Sequence, residues 1–309
     1  MPQQYFYYKA FGLTFKSCME HPGFIVENET ASPDCTISFG TVPRKLSGYG
    51  RIQAEGSKTG GQFLLKIKNV GRYLVANGES ITIEKAPEAT DRDVLLFLWA
   101  SAIGALLHQR GMIIIHGSSI KTGEHAVIFS GTSGSGKSTI ASAFVSENEA
   151  QIISDDISAI TIAESGIPVV VPGYPLIKLW RDSSEKLLIE WDDTMLIRES
   201  VNKMIVKIGD RFASKAVPLS QFYLLSYKNS GPPAISEITG YKKLELLMGK
   251  IFRKKFVWKM EAGPVDVFMD ASAILPYVRV CTLERMYGIA YLDETIAMIE
   301  NDLRQAEIL

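Results

Sequence analysis

The sequence is poor in the residues that build covalently or metal-stapled folds. Its three cysteines, Cys18, Cys35 and Cys281, lie far apart with no Cys-x-x-Cys pair, and its four histidines form no Cys/His cluster at ligand spacing. A disulfide framework and a structural zinc site are thereby excluded. Charge of neither sign is in excess, with 33 Lys+Arg against 34 Asp+Glu, so the basic footprint of a general nucleic-acid binder is missing. No apolar run reaches the roughly 20 residues that cross a bilayer. The longest, residues 94–107, stops between Asp93 and His108 and is expected as a buried helix. Residues 1–9 show neither the basic start nor the apolar core of a cleaved signal. A cytoplasmic protein without membrane or nucleic-acid partners is the expectation.

What is present is ordinary globular material: 309 residues, 46% hydrophobic and 22% charged, enough for about two domains. Residues 5–88 alternate short β-type runs (YFYYKAFGLTF, TISFGTV, FLLKIKNVGRYLVANGESITIEKA) with turn residues, and Asn69-Val70-Gly71 and Asn77-Gly78 sit where hairpin turns belong. A small antiparallel β domain over 1–90 is expected, with Tyr5, Phe6, Tyr7 and Tyr8 as strand packing. Residues 91–110 predict one helix, with Asp91 and Asp93 in its first turn and Gly111 just past its end. Between 112 and 226 the pattern returns to β runs separated by glycines, and near the C-terminus Ile289, Leu292, Ile296, Ile299 and Leu303 recur at helical spacing. The fold class expected is α/β (mixed α+β), with 91–309 as one catalytic domain ending in helices.

The chemistry concentrates in 112–226. Gly131-Thr132-Ser133-Gly134-Ser135-Gly136-Lys137-Ser138 fits G-x-x-x-x-G-K-[ST], between a strand-like run (AVIF) and a helix-like one starting at Thr139. In that context, glycines let backbone N–H groups curl round phosphate oxygens at a helix N-terminus. Lys137 would reach the β- and γ-phosphates and the Ser138 hydroxyl would ligate Mg²⁺. Asp155-Asp156 ends the run QIIS, which is expected to return beside the strand preceding the loop. Of two adjacent carboxylates there, one can hold Mg²⁺ and the other accept the proton of an attacking hydroxyl. With Lys121–Glu124 as a hairpin turn, His116 falls opposite Phe129 or Ser130, one step from the loop. Arg198, Lys203 and Arg211 are further cations able to meet transition-state charge. Residues 250–259 (KIFRKKFVWK) mix five cations with three aromatics.

The order HG, strand, GTSGSGKST, helix, SDD, with Asp155 only 18 positions after Lys137, resembles the HPr kinase/phosphorylase core, whose fold is shared with phosphoenolpyruvate carboxykinase. The segments YYKAFGL, LLHQRG before HGSSI, SDDISAI and VVVPGYPLIKLW are similar to a divergent branch associated with lasso-peptide biosynthesis, in which kinases phosphorylate the C-terminal serine of a precursor peptide. The resemblance implies ATP and Mg²⁺ as cofactors, with Gly131 to Thr139 binding nucleotide. It also implies Asp155 and His116 at the acceptor hydroxyl, Lys137 on the phosphates, and Ser138 with Asp156 holding the metal. It further implies a precursor-peptide substrate and a homo-oligomer. Where HPr kinases carry a downstream Glu-Val/Ile-Arg-Gly segment this chain has GYPLIKLWRD, which argues against HPr as acceptor and places Lys178 and Arg181 to meet phosphate or a substrate carboxylate. An HPr-type or free-serine metabolic kinase and a non-catalytic nucleotide-sensing module are the alternatives.

Overall fold

The computed structural model describes residues 4–30, 32–46, 50–51, 54–56, 61–190, 196–198, 201–254 and 264–309. It is a mixed α+β chain in two compact units, one of residues 1–114 with 251–270 and one of 115–250 with 271–309.

The first unit carries β1 (Phe6–Ala10), β2 (Leu13–Ser17), β3 (Ile25–Val26), β4 (Cys35–Phe39), β5 (Gly50–Arg51), β6 (Ala54–Gly56), β7 (Gln62–Ile67), β8 (Gly71–Ala76) and β9 (Ser80–Lys85). They form one sheet in the order β3-β1-β2-β4-β9-β8-β7-β6-β5. The sheet is not purely antiparallel, since β4 lies parallel to both β2 and β9. The asparagine turns close hairpins: Asn69 (φ 61°) between β7 and β8, and Asn77-Gly78 (φ 56° and 67°) between β8 and β9. Asn and Gly suit these positions because they tolerate the left-handed region. Tyr7 and Tyr8 are buried, as strand packing requires.

Helix α1 (Asp91–Phe97) opens with a capping box: the Thr90 side chain accepts from the Asp93 N–H while Asp93 reaches back to the Thr90 N–H. The expected single helix is continuous but contains a π-helical stretch, Leu98–Ala102, before α2 (Ile103–Gln109). It groups with the β unit rather than with the second unit, so the division falls at 114 and not at 90. The Tyr73 hydroxyl donates to the Val94 carbonyl and Gly78 N–H to the Gln109 side chain. Residues 251–254 return to the same unit, with Phe252 N–H on the Ile114 carbonyl.

The second unit holds β10 (Ile113–Thr122), β11 (His125–Gly131), β12 (Ala150–Ser154), β13 (Ile157–Ile162), β14 (Pro168–Val171), β15 (Leu176–Trp180), β16 (Leu196–Arg198), β17 (Val201–Lys207), β18 (Val217–Lys228), β19 (Ala234–Glu237) and β20 (Arg279–Met286). The main sheet runs β11-β10-β13-β14-β18-β20-β19, and β11 also pairs with β18. Its centre is parallel, with β11 beside β18 and β18 beside β20, so three strands deliver their C-terminal ends to one place. A smaller sheet, β15-β17-β16, stands apart from that path. Helix α3 (Lys137–Glu147) and the helix Leu292–Gln305 share one core: Ile140 and Phe144 of the first, and Ile296, Ile299 and Leu303 of the second, are buried with Tyr223 and Leu283. Each such side chain contributes about 1.5–3 kcal/mol on leaving water. Among the described residues no helix is long and apolar enough to cross a membrane.

Candidate active site

Strand β11 ends at Gly131, α3 begins at Lys137, and the turn between them is fixed by its glycines. Gly134 and Gly136 have φ of 81° and 90°, a region L side chains avoid. A Cβ at Gly136 would meet Arg285 Nη2 at 2.3 Å, and one at Gly131 would meet Ser135 Oγ at 2.5 Å and the Leu225 carbonyl at 2.9 Å. Lys137 is buried and folds over the loop, its Nζ donating to the carbonyls of Thr132 (2.9 Å) and Gly131 (3.3 Å). Burial lowers its pKa, with Asp156 and Asp155 acting in the opposite direction. The loop hydroxyl Ser135 Oγ is buried without a partner.

The two aspartates arrive by a route other than the one expected. Strand β12 does not return beside β11; it pairs antiparallel with β10, Thr122 opposite Ala150 and Ser119 opposite Ser154. Both flanks of β11 are already taken, by β10 and β18. The detour still brings Asp155 to the loop. Its Oδ1 accepts from Ser138 Oγ (2.7 Å) and Ser118 Oγ (2.6 Å), and its Oδ2 from the Lys178 N–H (2.9 Å). The partner of Ser138 is therefore Asp155, not Asp156.

Asp156 adopts φ 70°, and this left-handed turn sends its carboxylate elsewhere. Lys178 Nζ lies 2.9 Å from Oδ2, and His116 Nδ1 3.5 Å from Oδ1. Burial acts to raise the Asp156 pKa, but the Lys178 ammonium outweighs it and holds the carboxyl well below the usual range. Burial alone would lower Lys178; the Tyr174 hydroxyl and Asp156 reverse that and raise it. His116 is lowered by burial and then by Lys137, so its imidazole is neutral near pH 7. Its Nδ1 sits 3.0 Å from the Asp156 carbonyl, which only accepts. The proton is therefore on Nδ1 and the lone pair on Nε2. The hairpin register places His116 one position beyond the expected one, since Gly117 pairs with Ser130; the Ser130 hydroxyl donates to the His116 carbonyl at 2.8 Å.

A cavity of about 490 Å³ is lined by the loop residues Ser133, Gly134, Gly136, Lys137, Ser138 and Thr139, and by His116, Asp156, Lys178, Trp180, Arg181 and Lys203. Gly131, Ser135 and Asp155 are buried and Thr132 is exposed, and none of the four is part of that lining. Thr139 is tied to α4 (Arg181–Lys186) through Ser183, hydroxyl to hydroxyl at 2.8 Å. Lys178 is committed to Asp156. Of the other cations considered, Lys203 lines the cavity with its ammonium 5.8 Å from the Trp180 ring centroid, and Arg211 donates to the Val145 carbonyl near the end of α3. The Arg198 side chain and residues 255–259 lie outside the described residues. Ser118, Tyr227 and Arg285 are at the site too and were not singled out from the sequence. For Tyr227 and Arg285 the signal was the parallel alignment of QFYLLSY and VRVCTLERM with AVIFSG, which gathers the residues at those strand ends; Ser118 is on the antiparallel β10 and had no such signal.

Among the described residues no three His, Cys, Asp or Glu side chains cluster as a metal cage. A phosphate-borne Mg²⁺ needs only one or two protein oxygens, and the Ser138 hydroxyl with Asp155 supplies that pair next to a loop whose glycines leave no Cβ in the way. The residues fit a Mg²⁺-nucleotide.

No protein-family model matches the chain, and no curated protein is similar to it in sequence. Among solved structures, the HPr(Ser) kinase/phosphatase from Coxiella burnetii aligns with a TM-score of 0.34 and 11% identity, over 62% of this chain and 98% of that one.

Proposed function

We propose that this protein is a Mg²⁺-ATP-dependent kinase that transfers the γ-phosphoryl group to a serine hydroxyl, the acceptor being the C-terminal serine of a lasso-peptide precursor. The observation that carries the transferase reading is the paired use of two carboxylates beside one glycine-rich loop. Asp155 is bonded to the loop hydroxyl Ser138, and Asp156 faces the cavity between Lys178 and His116. Binding alone needs the first arrangement and has no use for the second. The acceptor class comes from the sequence resemblance.

In this reading Ser138 and Asp155 would hold the metal, exchanging the roles that the resemblance gives to the two aspartates. Mg²⁺ in that position would draw charge from the β- and γ-phosphate oxygens. Lys137 turns from the Thr132 and Gly131 carbonyls toward the phosphates. His116 Nε2 accepts the proton of the acceptor hydroxyl as its oxygen bonds to the γ-phosphorus and the bond to the β-phosphate oxygen breaks. Asp156 stabilises the resulting imidazolium, and Lys178 keeps Asp156 ionised and fixed.

The test is intact-mass spectrometry after incubation with Mg-ATP and four acceptors: a serine-terminated precursor peptide, its C-terminal amide, HPr and free serine. A phosphate mass gain confined to the free-acid peptide is the expected result. Gain on HPr or free serine overturns the peptide assignment, and nucleotide binding without transfer to any acceptor overturns the kinase reading.

A further inference from the structure

The parallel strands that frame the loop carry aromatic residues at their C-terminal ends. In β18 and β20 Tyr227 pairs with Arg285, and in β11 and β18 Gly131 pairs with Leu225. Tyr227 thus stands two residues beyond the level at which the loop begins, and its hydroxyl donates to the Gly134 carbonyl at 2.7 Å. Arg285 is buried beneath that ring, its guanidinium carbon 5.1 Å from the centroid. Its Nη2 donates to the Ser135 carbonyl at 3.2 Å and its Nη1 to the carbonyls of Met286 and Gly288, while Nε is buried without a partner. The tyrosine and the arginine are therefore both bonded to the loop backbone.

Tyr287 follows immediately. Its ring meets Tyr227 edge-on, 5.0 Å between centroids at 74°, and it is 76% exposed. This exposed ring lines the same cavity as the loop, together with Gly288, Ile289 and Leu292. The cavity volume is that of a small-molecule site. The edge-on support fixes the plane of the Tyr287 ring before any ligand arrives.

We infer that Tyr287, braced by Tyr227, is the stacking platform for the nucleobase of the nucleotide whose phosphates the glycine-rich loop takes. This rests on the nucleotide reading given under the proposed function. Stacking uses the face of the base and the face of the ring, so the phenol oxygen of Tyr287 is dispensable and its ring is not. The hydrogen bond from Tyr227 to Gly134 fixes where the platform stands relative to the loop.

Binding of Mg-ATP and of Mg-tripolyphosphate, measured by calorimetry for the wild-type chain, Tyr287→Phe and Tyr287→Ala, tests the inference. Tyr287→Ala is expected to weaken ATP about tenfold, Tyr287→Phe to stay within about twofold of wild type, and tripolyphosphate to bind all three alike. Because Tyr287 is exposed, unchanged tripolyphosphate affinity also reports a folded loop. Equal loss for both ligands in Tyr287→Ala, or loss for neither, overturns the platform and leaves the loop reading standing. A wild-type chain that binds neither ligand overturns the nucleotide reading itself, and the platform with it.

Discussion

Asp155 is a joint between three elements, accepting from Ser118 of β10, Ser138 of α3 and the Lys178 N–H of β15. Asp155→Asn replaces one acceptor oxygen with a donor, so a donor comes to face a donor; transfer is expected to fall about 10²–10³-fold and the Mg²⁺ concentration needed for half-maximal rate to rise, read from a Mg²⁺ titration of the initial rate. His116→Ala is expected to cost about 10²–10⁴-fold in kcat with nucleotide affinity intact, checked by pairing rates with calorimetry. The kcat/KM profile of the wild-type chain reports the free enzyme. Since burial and Lys137 lower the pKa of His116 below its ordinary 6.5, activity should persist through pH 6.5 and decline only at more acid pH as the imidazole protonates. A decline centred above 6.5 would remove His116 from the role of base. Both aspartates and the histidine were legible in the sequence because the loop motif says where to look. Which aspartate faces which way was not, because that depends on a single left-handed residue, Asp156, and pattern alone does not give its φ.

Among the elements, the strands and helices around the loop followed from hydrophobic period and turn residues, and the C-terminal stripe became the buried face of the helix Leu292–Gln305. Pairing partners were harder. Strand β12 is short, and nothing in AQIIS distinguishes β10 from β11 as its neighbour; β18, more than 60 residues later, occupies the place that local reasoning assigned to it. The one-residue error at His116 has a simpler origin: Thr122 and His125 pair, leaving only Gly123-Glu124 in the turn. The loop glycine with the least freedom is Gly136, left-handed and against Arg285. Gly136→Ala is expected to cost about 1–3 kcal/mol of unfolding free energy and to abolish the thermal shift given by Mg-ATP. Ile299→Ala, in the core shared by α3 and the last helix, is expected to cost about 2–5 kcal/mol by denaturant titration.

At the scale of the molecule, the membership of the two compact units was not readable from composition and pattern. Residues 251–270 belong with the N-terminal unit, and what ties 252 back there is backbone pairing with Ile114 and a bond from the His108 ring to the Phe252 carbonyl, neither of which has a local sequence signature. The N-terminal unit also contains a pH-dependent element of stability. His21 is buried, its Nδ1 accepting from Trp99 Nε1 and its Nε2 meeting Ser17 Oγ, and burial lowers its pKa to about 3. With a folded pKa below the unfolded 6.5, the contribution is present above pH 6.5 and lost as pH falls toward 3. Between pH 7 and 5 this amounts to about 2 kcal/mol, to be seen in urea titrations at the two pH values and to shrink in His21→Gln.

The bond from Arg285 to the Ser135 carbonyl spans 150 positions of sequence, and it gives the nascent chain a timetable. The loop, its lysine and both aspartates leave the ribosome long before the strand that carries the arginine and the tyrosine beside it. At about 5–20 residues per second that interval is roughly 8–30 s, during which the glycine-rich turn exists without the side chains that anchor its carbonyls. The half-made chain therefore carries its glycine-rich turn unanchored, and the bond that fixes the Ser135 carbonyl waits for the strand Arg279–Met286 to be made.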